Sequence, residues 1–340
     1  MARPKLLPDN FTLALVGTVI IASFLPCRGG VAVAFNWITD IAIGLLFFLH
    51  GAKLSREAII AGATHWRLHL VVLLSTFALF PLLGLALKPV LLPLVTPALY
   101  TGVLFLCTLP STVQSSIAFT SMAKGNVPAA VCSASASSLL GIFITPALVG
   151  LVVSNHGATT GSPWHTVGNI TLQLLVPFIA GQLLRPAIGK WIDKNRAMLK
   201  FVDQGSILLV VYVAFSEAVN EGIWHSISLS TLAGLLGVNI LLLAAALFIT
   251  AFTAKRMGFS RADQITIVFC GSKKSLASGI PMAKVIFASH AVGAVVLPLM
   301  LFHQIQLMVC AVLAQRWGAR KSAAEPVREG GKSVSAPARR

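Results

Sequence analysis

Long runs of apolar residues, separated by short polar and basic stretches, make up most of this chain. Ten of the runs are long enough to cross about 30 Å of hydrocarbon as an α-helix. Several contain an internal proline or glycine, which membrane helices accept more readily than soluble helices do. The pattern therefore predicts an all-α polytopic membrane protein with ten transmembrane helices, near residues 11–26, 36–52, 67–87, 98–122, 127–152, 166–184, 202–220, 227–254, 263–287 and 291–315.

Composition and charge support the same class of protein. Of the 340 residues, 56% are hydrophobic and 11% are charged, and the mean hydropathy is +0.85. Soluble domains carry about 25% charged residues. A net charge of +16 would indicate nucleic acid binding if it were clustered on a soluble face. Here the basic residues lie between apolar runs and in the tail, so we expect no nucleic acid partner.

The distribution of lysine and arginine orients the predicted helices. These residues concentrate in alternate loops and in the tail, and only Arg28 and Lys88 fall in the other set of loops. By the positive-inside rule, ten spans with both termini in the cytoplasm follow, in a cell (inner) membrane. The first run follows Arg3 and Lys5 and could also be a signal peptide. It lacks a small-x-small cleavage site, so we interpret it as the first span.

Dense polar interruptions occur in two of the ten runs, the fourth and the ninth. They read Leu109-Pro-Ser-Thr-Val-Gln-Ser-Ser-Ile117 and Cys270-Gly-Ser-Lys-Lys-Ser275. A matched pair of interrupted segments indicates a secondary transporter built from inverted repeats, with its site at the middle of the membrane. The sequence thus predicts two inverted five-helix repeats, in which helices 4 and 9 are broken. The predicted units are residues 1–152, residues 166–317 and a disordered basic cytoplasmic tail, 318–340; a polar, basic loop is expected at 185–200.

Lys273 and Lys274 stand side by side within the ninth run. A charge at bilayer depth is costly and is normally kept for a pathway, a counter-ion or a bound substrate. The alternative is that both lysines lie near an interface and extend their amines to the headgroups. We favour the site for this pair, and the interface for Lys284.

Further polar residues offer ligand groups near the two interruptions. Those of the fourth run could instead form helix–helix hydrogen bonds, and the serines at 133, 135, 137 and 138 are better explained by close packing. Glu217, in the seventh run, could relay protons, pair with a lysine or lie at an interface. His303, Gln304 and Gln306 could line a cavity or bond within the core. The predicted substrate- or ion-binding residues are Thr76, Thr112, Gln114, Ser115, Ser116, Cys270, Ser272, Lys273, Lys274 and Ser275.

At these motifs the chain resembles the bile acid:sodium symporter family, and more closely a divergent ten-span branch with lysines in the ninth span. The resemblance implies a panel domain of spans 1, 2, 6 and 7. It also implies a core domain of spans 3–5 and 8–10, in which the broken spans cross. It covers roughly residues 11–317 and rests on Leu46-Phe-Phe-Leu-His-Gly-Ala-Lys-Leu54, Pro110–Asn126, Phe269-Cys-Gly-Ser-Lys-Lys-Ser-Leu276 and His303-Gln-Ile-Gln-Leu-Met-Val-Cys310.

The sodium ligands that this resemblance implies are largely replaced. Sodium-coupled members carry an acid in the ninth-span break, where this chain has Phe269, and a Gln-Asn pair where it has Lys273 and Lys274. A third-span Gln corresponds to Thr76, and a fourth-span Ser-Asn pair corresponds to Ser115-Ser116. Loss of a carboxylate beside a new ammonium reverses the local sign of charge. We therefore predict that a lysine ammonium stands in place of a sodium ion.

The function predicted from these features is secondary active transport, symporter-like and by alternating access, of an organic solute, with an anion favoured. Coupling to sodium, coupling to protons and uncoupled transport are the alternatives, and sodium is the least favoured. The alternative is a non-transporting membrane regulator or receptor that retains the fold. No enzyme motif such as HExxH or GxSxG occurs, so we expect no enzyme activity. The five cysteines lack CxxC spacing, and no cofactor or bound metal is predicted.

Overall fold

The computed structural model describes residues 10–53, 65–153, 163–220, 222, 228–287 and 292–324. Within these ranges all regular structure is helical. One long helix, α3, contains a π-helical segment at Ser75–Leu79. The helices of the described residues are α1 (Asn10–Phe24), α2 (Gly29–Lys53), α3 (Trp66–Ala86), α4 (Lys88–Leu91), α5 (Pro97–Thr108), α6 (Gln114–Met122), α7 (Val127–Val152), α8 (Pro163–Lys194), α9 (Arg196–Asn220), α10 (Leu229–Arg256), α11 (Arg261–Gly271), α12 (Leu276–Ile286) and α13 (Val292–Ala324).

Six of these helices are long and apolar enough to cross a membrane. They are α2, α3, α7, α9, α10 and α13, each with a window of mean hydropathy of 1.6 or more. Two shorter apolar helices, Leu13–Phe24 and Pro97–Thr108, accompany them. The prediction of an all-helical membrane protein is confirmed on this evidence of length and composition.

Both predicted interruptions are present as breaks between consecutive helices. In the first, α5 ends at Thr108 and α6 begins at Gln114. Leu109 is extended there (φ −72°, ψ 154°), as expected for a residue that precedes a proline. In the second, α11 ends at Gly271 and α12 begins at Leu276, with Ser275 as its N-cap.

The two breaks lie against each other although they are far apart in sequence. The backbone N–H of Ser275 donates to the carbonyl oxygen of Pro110 at 2.9 Å. The hydroxyl of Ser111 donates to the carbonyl oxygen of Cys270 at 2.5 Å. Each break thus supplies a hydrogen-bond partner to a backbone group of the other, which suits surroundings without water.

Around the breaks the helices form two groups that also touch each other. We call α1, α2, α8 and α9 the panel helices, since α1 packs on α9 and α2 packs on both α8 and α9. The remaining helices surround the breaks and are called the core helices. At the α2–α8 crossing, Gly51 and Gly181 let the two backbones approach closely. One large apolar cluster runs through both groups and includes Leu46, Phe105, Phe215 and Phe302.

Two boundary predictions were wrong. Residues 185–200, predicted as a loop, are almost wholly helical, because Ile192 and Leu199 pack against Leu49 and Ala52 of α2. Helix α13 runs to Ala324, into the segment predicted as a disordered tail; alanines favour helix there. Residues 325–340 of that tail lie outside the described residues.

Candidate functional site

The ammonium of Lys274 is held by three backbone carbonyl groups. Its Nζ atom donates to the carbonyl oxygens of Thr76 at 2.6 Å, Cys107 at 2.8 Å and Leu109 at 2.7 Å. It also lies 4.3 Å from the centre of the Phe80 ring. A lysine ammonium has three donors, so its hydrogen-bonding capacity is filled. The side chain is fully buried.

The local backbone explains why these carbonyls are available. In the π-helical segment, the N–H of Phe80 bonds to Ser75, five residues back, so the carbonyl of Thr76 would next need an N–H from position 81. That residue is Pro81, which has none.

At the end of α5, the N–H of Ser111 would reach Cys107 in a continuing helix. It donates to Ser137 Oγ instead, at 3.0 Å. The C-terminus of α5 also carries partial negative charge, which favours an ammonium there.

Lys273 has a different environment. Its Nζ atom donates to the carbonyl oxygen of Ser115 at 2.9 Å. The same atom lies 3.9 Å from the centre of the Phe119 ring and 5.4 Å from that of Phe269. Ring faces attract a cation through their quadrupole. Lys273 is therefore held by one carbonyl and two aromatic rings, and it too is fully buried.

Hydroxyl groups of the first break cap the C-terminus of α11. Ser111 donates to Cys270, as described, and Ser116 donates to the carbonyl oxygen of Phe269 at 3.0 Å. The Thr112 hydroxyl lies 2.8 Å from that of Ser115 and 2.9 Å from that of Ser116. The carbonyl groups at the C-terminus of each half-helix thus accept from side chains of the other broken segment. Lys274 caps α5, and Ser111 and Ser116 cap α11.

A cavity of about 400 Å³ lies between the panel helices and the two breaks. The N-terminal ends of α6 and α12 both reach its wall, through Gln114 and Ser115 on one side and Ser275 and Ser278 on the other. Phe11, Phe47, Phe178, Leu139 and Ile142 form an apolar part of the lining. Such a wall offers backbone N–H groups, hydroxyls and apolar surface to one small molecule.

The panel side of the cavity carries charged groups that we did not predict as site residues. Lys53 forms an ion pair with Asp203, and both line the cavity together with His50 and Lys200. The Nδ1 atom of His50 lies 2.8 Å from the carbonyl oxygen of Leu46, which can only accept, so Nδ1 is the protonated nitrogen. In the sequence, His50 and Lys53 near the end of the second apolar run were the features that could have indicated these site residues.

The structure divides the predicted binding residues into two sets. Thr112, Gln114, Ser115 and Ser275 line the cavity, while the others are buried behind it around the lysines. The four serines of α7 divide likewise. Ser135 and Ser138 line the cavity, Ser137 accepts from Ser111, and Ser133 Oγ lies 2.6 Å from His69. The buried predicted residues are Thr76, Ser116, Cys270, Ser272, Lys273 and Lys274.

Gln306 of α13 connects the second break to the cavity wall. Its Oε1 atom accepts from the N–H of Lys274, and its Nε2 atom donates to the carbonyl oxygen of Lys274, both at 2.9 Å. The same Nε2 atom lies 2.9 Å from Nδ1 of His303, which lines the cavity. The two bonds to the backbone of Lys274 identify Nε2 as the amide nitrogen of Gln306. Since this nitrogen can only donate, His303 Nδ1 must be the acceptor. In the polar patch of the tenth run, His303 thus lines the cavity and Gln306 bonds within the core, and these are the two roles that we considered.

Lys284, which we predicted to extend its amine to the headgroups, instead forms an ion pair with Glu217. Its Nζ atom lies 2.8 Å and 2.9 Å from the two carboxylate oxygens of Glu217, and its side chain is 10% exposed. A nearby carboxylate makes the paired, buried arrangement preferable to an extended one. Of the three alternatives considered for Glu217, the lysine partner is the one observed.

Comparisons with known proteins agree on one family. The model of the SBF-like CPA transporter family matches residues 9–319. The uncharacterized protein PA2026 of Pseudomonas aeruginosa is 67% identical over 321 residues, which cover 94% of this chain and 96% of that protein. "Putative symporter YfeH" of Escherichia coli is 60% identical over 312 residues, 91% of this chain and 92% of that protein. "Sodium/bile acid cotransporter 7-B" of Xenopus laevis is 29% identical over 319 residues, 91% of each chain.

Proposed function

This chain belongs to the SBF-like CPA transporter family, and on that premise we propose that it is a secondary active transporter of a small organic anion. Transport itself follows from the family and from the names of the relatives, and it sets the protein apart from enzymes. The solute, the mode of coupling and the mechanism are the parts that we propose. The membrane is the cell (inner) membrane, with both termini in the cytoplasm, as the basic loops indicate.

The proposed architecture is ten spans in two inverted five-helix repeats. In it, the pair α5 and α6 forms span 4, and the pair α11 and α12 forms span 9. The contacts between the two breaks support a crossing of these spans. Half-helices that meet in this way are typical of transporters whose site lies at mid-membrane.

An anionic solute fits the electrostatics of the cavity. Two half-helices direct their N-termini, which carry partial positive charge, at its wall. Lys53 and Lys200 add positive charge, and Asp203 offsets part of it. The hydroxyls of Ser115 and Ser278 and the amide of Gln114 can donate to carboxylate or sulfate oxygens. The apolar lining accommodates the rest of an amphipathic acid.

The central part of the proposal is that the ammonium of Lys274 does the work of a bound sodium ion. The observation that carries it is the set of three carbonyl oxygens around Nζ. Two positions that the family resemblance relates to sodium ligands, Thr76 and Ser115, each contact a lysine ammonium through their backbone oxygens. A tethered cation would hold the two breaks together throughout the cycle without ion binding and release.

Transport by the purified protein in proteoliposomes tests this proposal. The probes are radiolabelled taurocholate and a set of smaller organic carboxylates, with sodium and pH gradients imposed separately. We expect uptake of at least one anion that an inward sodium gradient does not accelerate. Lys274→Met should abolish it, while Lys190→Met, at an exposed lysine outside the cavity, should retain uptake. Sodium-driven uptake that survives both Lys273→Ala and Lys274→Ala would refute the exchange of sodium for lysine.

A further inference from the structure

The Glu217–Lys284 ion pair connects the two groups of helices. Glu217 lies on α9, a panel helix, and Lys284 lies on α12, which begins at the second break. The other buried or half-buried pair of the described residues, Lys53–Asp203, joins two panel helices to each other. The pair at Glu217 therefore spans the boundary across which the two groups would have to move.

The pair lies beyond the cavity, near the C-terminal ends of α9 and α12. On α9 the cavity-lining residues are Lys200, Asp203, Gln204 and Ile207, whereas Glu217 follows about 15 Å further along the helix axis. On α12 the lining residues extend from Leu276 to Met282, and Lys284 follows Met282 by two residues, about 3 Å along the axis. Both helices thus run from the cavity towards the ion pair.

Apolar residues lie between the cavity and the pair on both helices. Val211, Ala214 and Phe215 of α9 are fully buried between Ile207 and Glu217, and Ala283 of α12 is fully buried between Met282 and Lys284. These four residues belong to the same packed cluster, and we call them the apolar layer. At this level α9 and α12 are in contact.

Beyond the layer, α13 closes against α9 in the same region. Gly293 of α13 has no side chain, and a Cβ atom there would lie 2.7 Å from Ala218 Cβ and 3.0 Å from the carbonyl oxygen of Ala214. The C-terminal end of α9 is itself held by hydrogen bonds of Asn220. Asn220 donates to the carbonyl oxygen of Cys27 at 3.0 Å and accepts from Arg28 at 2.9 Å.

From these observations we propose that the Glu217–Lys284 pair is the outer gate of the transport pathway. It holds α9 and α12 together on the side opposite to the basic loops and must separate before the cavity opens there. The side chain of Glu217 is 31% exposed and that of Lys284 is 10% exposed, so water can reach the carboxylate first when the helices part. The inference rests on the proposed alternating access and adds to it the residues that control one opening.

Thiol accessibility tests the gate without any solute. The five native cysteines, all buried, are replaced, and Ala214→Cys is introduced as a reporter one turn below Glu217. Intact cells or right-side-out vesicles are treated with a charged, membrane-impermeant methanethiosulfonate. We expect slow labelling with the pair intact, labelling at least tenfold faster in Glu217→Gln, and slow labelling again in the exchanged pair Glu217→Lys with Lys284→Glu.

A matched control removes an ion pair that lies away from the boundary. Asp193 and Arg196 are paired on the surface at 2.6 Å, and Asp193→Asn should leave the labelling rate unchanged. If Glu217→Gln yields no folded protein, Lys284→Gln provides a second route, because it removes the other partner of the pair and should also accelerate labelling.

Unchanged labelling in Glu217→Gln, or in Lys284→Gln where that variant is used, would overturn the gate. Transport measured in the same proteins separates the two proposals. Fast labelling without transport of any anion would leave the gate standing and count against the proposed function. Transport by proteins whose labelling rate does not depend on the pair would overturn the gate and leave the proposed function standing.

Discussion

Lys274 completes a hydrogen bond that Pro81 cannot make. The carbonyl oxygen of Thr76 lies five residues before Pro81 in a π-helical segment, so the missing N–H of the proline leaves this oxygen without a backbone donor. The ammonium of Lys274 takes that place at 2.6 Å. A proline in the third predicted span and a lysine in the ninth are thus two parts of one interaction.

Removal of the Lys274 ammonium is expected to destabilise the protein. In Lys274→Met, three buried carbonyls lose their donor, at about 1–3 kcal/mol for each unsatisfied group. Relief from burying a charge offsets part of this, so we expect a loss of about 2–4 kcal/mol in the free energy of unfolding. Denaturation in detergent micelles measures it. Lys200→Met, at an exposed lysine, is the control, and equal stability of the two variants would contradict the prediction.

The link between Pro81 and Lys274 can be measured by a double-mutant cycle. Pro81→Ala restores an N–H that can bond to Thr76, so one of the three acceptors no longer depends on the lysine. We therefore expect Lys274→Met to be less damaging in the Pro81→Ala background, with a coupling free energy of about 1 kcal/mol. Pro177→Ala, in panel helix α8, should combine with Lys274→Met additively. Additive effects in both pairs would show that Pro81 does not create the acceptor.

The amino-acid pattern was sufficient to predict the breaks but not the lysine partners. Pro110, Gly271 and the serines around them stop a helix through local chemistry, and this can be read from sequence. The acceptors of Lys274 lie on α3 and α5, far away in the chain. The π-helical segment that exposes one of them was missed, although Pro81 was its visible cause.

Charged residues near the ends of runs were the hardest to interpret. Sequence indicates that Lys284 and Lys53 lie late in their apolar runs, where a long side chain can extend to the headgroups. Whether it does so depends on a carboxylate of another helix, Glu217 for the first and Asp203 for the second. Span order alone does not give the rotation of α9 that presents both acids inward.

Sodium is expected to have no specific effect on thermal stability. A ligand that binds the folded state raises the Tm by mass action, and the Tm keeps rising with the logarithm of the ligand concentration above Kd. If Lys274 holds the place of the cation, exchange of KCl for NaCl at constant ionic strength should leave the Tm unchanged. Thermal unfolding in detergent, followed over a series of sodium concentrations, gives the answer. A rise in Tm with increasing sodium that potassium does not produce would indicate a metal site and contradict the tethered-cation proposal.

The crossing of α2 and α8 should tolerate no side chain at either of its two glycines. A Cβ atom at Gly51 would overlap the carbonyl oxygen of Phe178, and one at Gly181 would overlap that of Phe48. Because both obstacles are helix backbone, the helices themselves must separate, and we expect Gly51→Ala and Gly181→Ala each to lower the free energy of unfolding by about 3 kcal/mol. Gly44 lies on the same helix α2 with nothing within 4 Å of its added Cβ. Gly44→Ala should therefore be neutral or stabilising, by up to about 1 kcal/mol from helix propensity. Thermal unfolding of the three variants side by side measures the difference, and a Gly51→Ala protein as stable as Gly44→Ala would show that the two helices are not in contact at this crossing.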